Sequence, residues 1–451
     1  MSERLRSVGL DVGTTSTQMI FSELTVENRA SGFAVPELEI ARRQILYRSD
    51  VHFTPLLDES HVDTAALRKI VEEEYRKAGI DRAEVDTGAI IITGETSRKE
   101  NARAVLEALA DLAGDFVVAT AGPDLESVLA AKGAGAVGFS EETGKTVLHM
   151  DIGGDTSNLA LIREGKITAT TCLNVGGRLI KLDESGTVTY VSPVLQGICH
   201  LKVGDKTEQN ALEEIAGSLV QALEMAAGLR EATPLLAQLT TAEAVPGWKP
   251  PKESVVLSFS GGVADCIDTD QPWLAFGDMG PILGRAIRRS RLCAKEYRLG
   301  GETIRATVIG AGCHSAQLSG STVFHRNVAF PLKNLPVANI PEPTAEAIRR
   351  ELQKQEGRAV LALEGLPAPS YREVSALAEA LLAGTPGDEI LVCLEQDMAK
   401  ALGQALALRA GENARILCLD RVKLTEGSYL DVGAPIGPAM PVVVKTLVLG
   451  R

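Results

Sequence analysis

Positive charge, paired cysteines and long apolar runs are all scarce in this 451-residue chain. Lys and Arg number 46 against 59 Asp and Glu, a net charge of −13. With no basic surplus to neutralise phosphates, general nucleic-acid binding is excluded. The seven cysteines include no CxxC pair, so neither a disulfide framework nor a zinc site is indicated. Cys393 and Cys418 lie inside the apolar runs ILVCLE and RILCLD and read as core residues of strands. No apolar stretch reaches the roughly 18 residues of a membrane span. The opening MSERLRS runs at once into a strand pattern, unlike a signal peptide. The expectation is a cytoplasmic protein with no nucleic-acid or membrane partner.

What is present is a long alternation of strands and helices. The length suggests about two to four domains. Val8–Val12, Thr17–Leu24 and Glu39–Tyr47 read as strands. Asp63 is placed to cap a helix bearing Leu67, Ile70 and Val71 on one stripe. Strand Ala89–Thr93, helix Glu95–Ala113, strand Phe116–Ala119 and helix Asp124–Lys132 follow. Near Ser140 the pattern restarts, with strands at Thr146–Met150, Asn158–Ile162 and Ile167–Leu173 and a helix over Thr207–Gly228. Then come strand Val255–Phe259, helix Pro281–Tyr297 and strand Ile304–Ile309. The shared opening of the two units indicates an internal duplication. Pro336, Pro341 and Pro343 mark a linker. Beyond it, three strands (Ala359–Leu363, Ile390–Leu394, Ile416–Leu419) alternate with helices Tyr371–Ala383 and Met398–Leu408, a small α/β domain.

The chemistry is concentrated in two short stretches, GLDVGTTSTQ from Gly9 and HMDIGGDTSN from His149. Each ends an apolar strand on an Asp, places a Gly two residues on, and continues into hydroxyl residues. A tight hairpin of this kind turns backbone N–H groups toward an anion. Gly13, Gly153 and Gly154 remove side chains that would hold a phosphate away. Thr14, Thr15, Thr156 and Ser157 add hydroxyl donors. Asp11 and Asp151 supply hard oxygen ligands for a Mg²⁺ that keeps most of its water. Two ordinary β-turns are the alternative for either stretch alone; their recurrence in duplicated units favours a clamped triphosphate. In VVLSFSGGVADC, the pair Gly261 and Gly262 lets the backbone approach a flat ligand such as adenosine, or simply ends a strand.

In this order the three stretches resemble the phosphate-1, phosphate-2 and adenosine motifs of the actin, sugar-kinase and heat-shock-chaperone ATPase superfamily, over residues 1 to about 330. The resemblance implies an α/β fold: two ribonuclease-H-like domains around a nucleotide cleft (1–140 and 141–335), with a C-terminal α/β domain (342–451). It implies ATP and Mg²⁺ as cofactors. Asp11 and Asp151 would act through the metal as catalytic groups, Gly13–Thr15 and Gly153, Gly154, Asp155 and Thr156 would hold phosphates, and Gly261 and Gly262 would face adenosine. Further stretches (TGETSRKENAR, FGDMGPILG, TVIGAGCHSAQLSGSTVF, PIGPAMPVVVKTLV) are similar to the ethanolamine ammonia-lyase reactivating factors. That family implies a slow, chaperone-like Mg-dependent ATPase. Its partner would be ethanolamine ammonia-lyase, whose damaged cobalamin it exchanges for free adenosylcobalamin, and it would be associated with a bacterial microcompartment. Oligomeric state has no signature in the sequence. A small-molecule kinase and an actin-like filament ATPase stay open as alternatives on the same fold.

Other signals are weaker. Gly133–Gly138 matches G-x-G-x-x-G, but a helix pattern precedes it where a dinucleotide fold needs a strand. It reads as a small-residue crossing between domains, or as a helix cap and loop. His200 and His314 have no partner at metal-ligand spacing. Asp124 and Glu126 are placed either to orient an attacking water or to favour a helix start, and no general base is assigned. Asp265 and Asp278 are the candidate bases of the kinase alternative.

Overall fold

A computed structural model describes residues 3–13, 16–28, 38–58, 61–93, 101, 105, 108–109, 118–120, 123–242, 244, 247–314, 317–319, 322–355, 357–424, 428–435 and 440–446. The first sheet contains β1 (Glu3–Val12), β2 (Ser16–Asn28), β3 (Leu38–Arg48), β4 (Thr87–Ile92) and β5 (Val118–Thr120). Their order is β3-β2-β1-β4-β5, with His52–Phe53 adding a short strand beside β2. The second sheet contains β6 (Val147–Ile152), β7 (Ser157–Arg163), β8 (Lys166–Leu173), β9 (Val256–Ser260) and β10 (Tyr297–Leu299). Its order is β8-β7-β6-β9-β10. In both, three antiparallel strands are followed by two that run parallel to the first. This repeated order is the ribonuclease-H-like arrangement of the actin-like ATPases.

The strands that carry the hairpins are buried on both faces, as near-continuous apolar runs require. Val8, Leu10 and Val12 of β1 meet Leu67, Val71 and Tyr75 of α1 (Thr64–Ala78). Asp63 caps that helix as expected, accepting from the Ala66 N–H at 2.9 Å. Leu148, Met150 and Ile152 of β6 meet Leu212, Ile215 and Leu219. These sit on one stripe of a helix over Gln209–Ala226.

Between the sheets run α2 (Pro123–Gly133), which continues into α3 (Ala136–Thr143), and a helix over Ala306–His314, here α4. Ala131 and Ala136 pack on the second sheet, while Val308, Ile309 and Cys313 pack on Ile20 of the first. The two helices cross backbone to backbone. A Cβ on Gly133 would stand 1.9 Å from the Ala306 carbonyl oxygen, and one on Gly310 2.1 Å from that of Leu129. Gly135 and Gly138 have nothing within 4 Å of such an atom. The crossing foreseen in GAGAVG is therefore made by Gly133, and its partner is the TVIGAG stretch.

That stretch is helical, not the strand expected over Ile304–Ile309. Its Thr-Val-Ile run favours a strand locally, but the small residues Ala306 and Gly310, four apart, form the helix face that admits Gly133. The helix expected over Pro281–Tyr297 is also shorter, Gly280–Arg288. The Ser290 side chain accepts from Leu292 N–H at 3.1 Å and starts a separate turn. The chain then pairs as β10 beside Leu257–Phe259. The helix expected over Glu95–Ala113 lies mostly outside the described residues, although Val105 and Leu109 are buried.

A third, eight-stranded sheet contains four parallel strands, Leu332–Asn339, Val360–Leu363, Glu389–Leu394 and Arg415–Leu419. Helices Ala345–Gln353, Tyr371–Gly384 and Ala399–Arg409 bury Ile348, Leu377 and Leu402 against it. Pro336 lies within the first of these strands, so the proline cluster does not begin where the strands stop.

Candidate nucleotide site

The two hairpins are built alike. Asp151, Gly153 and Asn158 follow Asp11, Gly13 and Gln18 at a constant spacing. Gly13 N–H donates to the Ser16 carbonyl, and Gly153 N–H to that of Thr156, both at 2.9 Å. Strand register sets Asp11 opposite Gln18 and Asp151 opposite Asn158. Both carboxamide side chains are buried, and Gln18 Oε1 and Asn158 Oδ1 have no hydrogen-bond partner among the described residues. Each hairpin thus offers a carboxyl group and an uncommitted amide oxygen at one level.

The carbonyls of both turns are held from behind. Thr54 Oγ1 donates to the Gly13 carbonyl at 2.7 Å. Gly177 N–H donates to the Gly153 carbonyl at 3.0 Å, and Arg178 N–H to that of Gly154 at 2.6 Å. A trans peptide sets C=O and N–H antiparallel, so the Gly154 and Asp155 N–H groups face away from Gly177 and Arg178. Fixed amides of this kind suit an anion. Thr156 lies half-buried on the same turn. Thr14 and Thr15 lie outside the described residues.

The glycine pair divides. Gly261 has φ 87°, and a Cβ there would stand 2.3 Å from the Ile152 carbonyl oxygen. Its lack of a side chain lets β9 pack against the second hairpin. Gly262 has only the Ile304 Cδ1 near that position, at 3.9 Å, which leaves room for a flat ligand.

Three carboxyl groups interact across the sheets. Asp11 accepts from Thr93 Oγ1 at 3.0 Å. Burial pushes its pKa up to about 7, Thr93 opposes the rise and Asp151 adds to it. Burial pushes Asp151 up to about 6, against the pull of hydrogen bonds from Ser260 and from Thr307 on α4. Glu126 on α2 is raised well above the usual carboxyl range by burial, then by Asp151 and Asp11, with Asn158 opposing. Asp124 behaves differently: it is exposed and its carboxylate accepts from Thr170. The structure thus separates the two acids that the sequence left equal and brings Glu126 to the site. Among the described residues no three His, Cys, Asp or Glu side chains form a metal cage. Mg²⁺ fits this donor set, since it is ordinarily held by one or two carboxylates plus water and phosphate oxygens.

The raised pKa values give a signed expectation. Asp11 and Asp151 hold their protons to higher pH in the fold than in the unfolded chain, whose carboxyls titrate near 3.8. Their stabilising contribution is complete below that value and is lost as pH rises through about 6 and 7. Without nucleotide, the melting temperature should fall between pH 5 and 8. Mg²⁺ with ATP should raise it more at pH 8, and Asp151→Asn should flatten the profile. Calorimetric scans across that range check this; a nucleotide-free profile that Asp151→Asn leaves unchanged would contradict it.

Arg178 is the cation that the sequence did not reveal. Its stem lies 3.3 Å from a Cβ position on Gly154, and its Nε donates to Asp278 Oδ2 at 3.2 Å. Asp278 also accepts from the Gly280 N–H at 2.8 Å. Asp265 accepts from Thr303 Oγ1. Both candidate kinase bases are therefore engaged. Below the second hairpin His149 is fully buried between Ser258 and Ser260, and burial pushes its pKa down to about 3. The paired amides Gln18 and Asn158 carried a sequence signal, the same residue class at the same distance from each Asp. Glu126 carried one too, shared with Asp124 at the start of the same helix, whereas Arg178 and His149 carried none.

The profile of the family described as ethanolamine utilisation protein EutA matches residues 3–450. Ethanolamine ammonia-lyase reactivase EutA of Salmonella typhimurium (strain LT2) is 39% identical over 469 aligned positions, 99% of each chain. The protein of the same name from Escherichia coli (strain K12) gives the same identity and coverage. Among solved structures, ethanolamine utilization protein EutJ from Carboxydothermus hydrogenoformans is 17% identical, with a TM-score of 0.35, over 68% of this chain and 88% of that one. Among the described residues no helix is long and apolar enough to cross a membrane.

Proposed function

This chain belongs to the ethanolamine utilisation protein EutA family, and from that premise we propose that it is an ATP-dependent reactivating factor for ethanolamine ammonia-lyase. One feature carries the nucleotide reading: Asp11 of the first sheet and Asp151 of the second come close enough that the charge of Asp151 raises the pKa of Asp11, and both raise that of Glu126 between them. Such an acidic meeting point, with Asp151 buried and Asp11 and Glu126 half-buried, calls for positive charge. Mg²⁺, when bound, supplies that charge to the carboxylates and to a triphosphate. The hairpin amides hold phosphate oxygens, and Gly262 borders the adenosine. Glu126, whose carboxyl would ionise once that positive charge offsets Asp11 and Asp151, then orients the attacking water and accepts its proton at a carboxylate oxygen.

The guanidinium of Arg178 is drawn toward Asp278, which favours slow hydrolysis and a switch over a metabolic catalyst. A nucleotide that binds one arrangement of the two sheets better shifts the molecule toward it. A lyase that grips one arrangement is then loaded and released in turn, and damaged cobalamin leaves during that cycle. Soluble placement beside the lyase in a microcompartment follows from the same reading. The engaged states of Asp265 and Asp278 disfavour the kinase alternative.

Nucleotide binding tests the site. A fluorescent ATP analogue should bind only with Mg²⁺ at micromolar protein, and Asp11→Ala and Asp151→Ala should each abolish that binding. Equal binding by both variants would refute the clamp.

A further inference from the structure

The second hairpin has a support that the first lacks. Position 149, two residues before Asp151, is a histidine; the matching position before Asp11 is Gly9, which lies against α4. His149 is fully buried in β6. The parallel register sets it beside Ser258 and sets Asp151 beside Ser260. His149 Nδ1 lies 3.1 Å from Ser258 Oγ, and Nε2 lies 2.9 Å from Ser260 Oγ. Ser260 Oγ in turn donates to Asp151 Oδ1.

The protons in this chain can be placed by exhaustion. A hydroxyl has one hydrogen. Ser260 spends its hydrogen on Asp151, so toward His149 it must accept, and Nε2 carries the ring hydrogen. A neutral imidazole then has an acceptor at Nδ1, which takes the Ser258 hydroxyl hydrogen. Every donor along Ser258, His149, Ser260 and Asp151 therefore points toward the carboxylate.

We propose that His149 and Ser260 are positioning residues for Asp151: the imidazole Nε2–H fixes the Ser260 hydroxyl, and that hydroxyl, held on Asp151 Oδ1, sets with Thr307 the orientation in which the carboxylate is presented to Mg²⁺. This rests on reading Asp151 as the metal-facing acid of the second hairpin. Partners that orient a ligating group typically change metal affinity by about 10- to 100-fold when removed. Asp11 takes its hydroxyl from Thr93 at the end of β4, so the device belongs to one half of the duplication and sets the two acids apart.

The test is a titration of Mg²⁺ into the full-length protein with a fluorescent ATP analogue, read as the Mg²⁺ concentration at half-maximal binding. His149→Leu and Ser260→Ala should each raise that concentration by about 10- to 100-fold. His149→Gln, which keeps an N–H near the Nε2 position, should bring it back toward wild type, as should Ser260→Thr. The double variant His149→Leu with Ser260→Ala should be no worse than Ser260→Ala alone. A role in packing alone would lower the melting temperature without moving the Mg²⁺ requirement. Additive effects, or an unchanged requirement in Ser260→Ala, would overturn the proposal. If Asp151→Ala itself leaves the requirement unchanged, the reading of the site fails. If Asp151→Ala abolishes binding and Ser260→Ala does nothing, only the relay fails.

Discussion

Glu126→Gln is expected to slow ATP hydrolysis by roughly 10²- to 10⁴-fold while Mg²⁺-dependent nucleotide binding persists. The glutamate lies on α2 within the influence of both hairpin aspartates and hydrogen-bonds Asn158. An amide of the same shape keeps those contacts but accepts no proton. The neighbouring Asp124→Asn should hydrolyse ATP at close to the wild-type rate, because that exposed residue is turned away to a hydrogen bond from Thr170. Single-turnover hydrolysis alongside nucleotide titration separates the two steps. A Glu126→Gln protein with normal hydrolysis would remove this residue from the mechanism.

The second large effect is on the fold. Gly133→Val should destabilise the protein by about 3 kcal/mol or more, since its Cβ would stand 1.9 Å from a backbone oxygen of α4. Neither backbone can yield without parting the sheets that each helix supports. Gly138→Ala is the matched control. It lies on α3 with open space around it and should stabilise the protein, by at most about 1 kcal/mol, through helix propensity. Thermal unfolding of the two variants provides the comparison. Equal melting temperatures would mean that the crossing is not as close as described.

These two expectations mark what the chain made legible. The hairpins were readable because turn chemistry is local: an Asp, a Gly and a hydroxyl run define the turn whatever packs around it. Their repetition made two weak signals strong. The crossing was half readable. Gly133 stood out within GAGAVG, but Ala306 and Gly310 sat in a β-branched context that suggested a strand. Tertiary contact decided otherwise, because only a helix puts those two small residues on one face. Glu126 and Asp124 looked alike since both open α2. Two residues along a helix is more than half a turn, and one faces the carboxyl cluster while the other reaches Thr170. His149 and Ser260 meet through strand register between segments far apart in sequence, which no local pattern encodes. Asp278, a plausible base in isolation, is tied to Arg178 by a contact of the same long-range kind.

The most direct measurement starts from ethanolamine ammonia-lyase inactivated with a tightly bound, non-functional cobalamin. This protein is added with adenosylcobalamin, Mg²⁺ and ATP, beside samples that lack ATP or carry Asp11→Ala. The account predicts that lyase activity returns with ATP and does not return in either control. Activity that returns equally without ATP, or with Asp11→Ala, would contradict the claim that a nucleotide clamped by the paired hairpins drives the exchange.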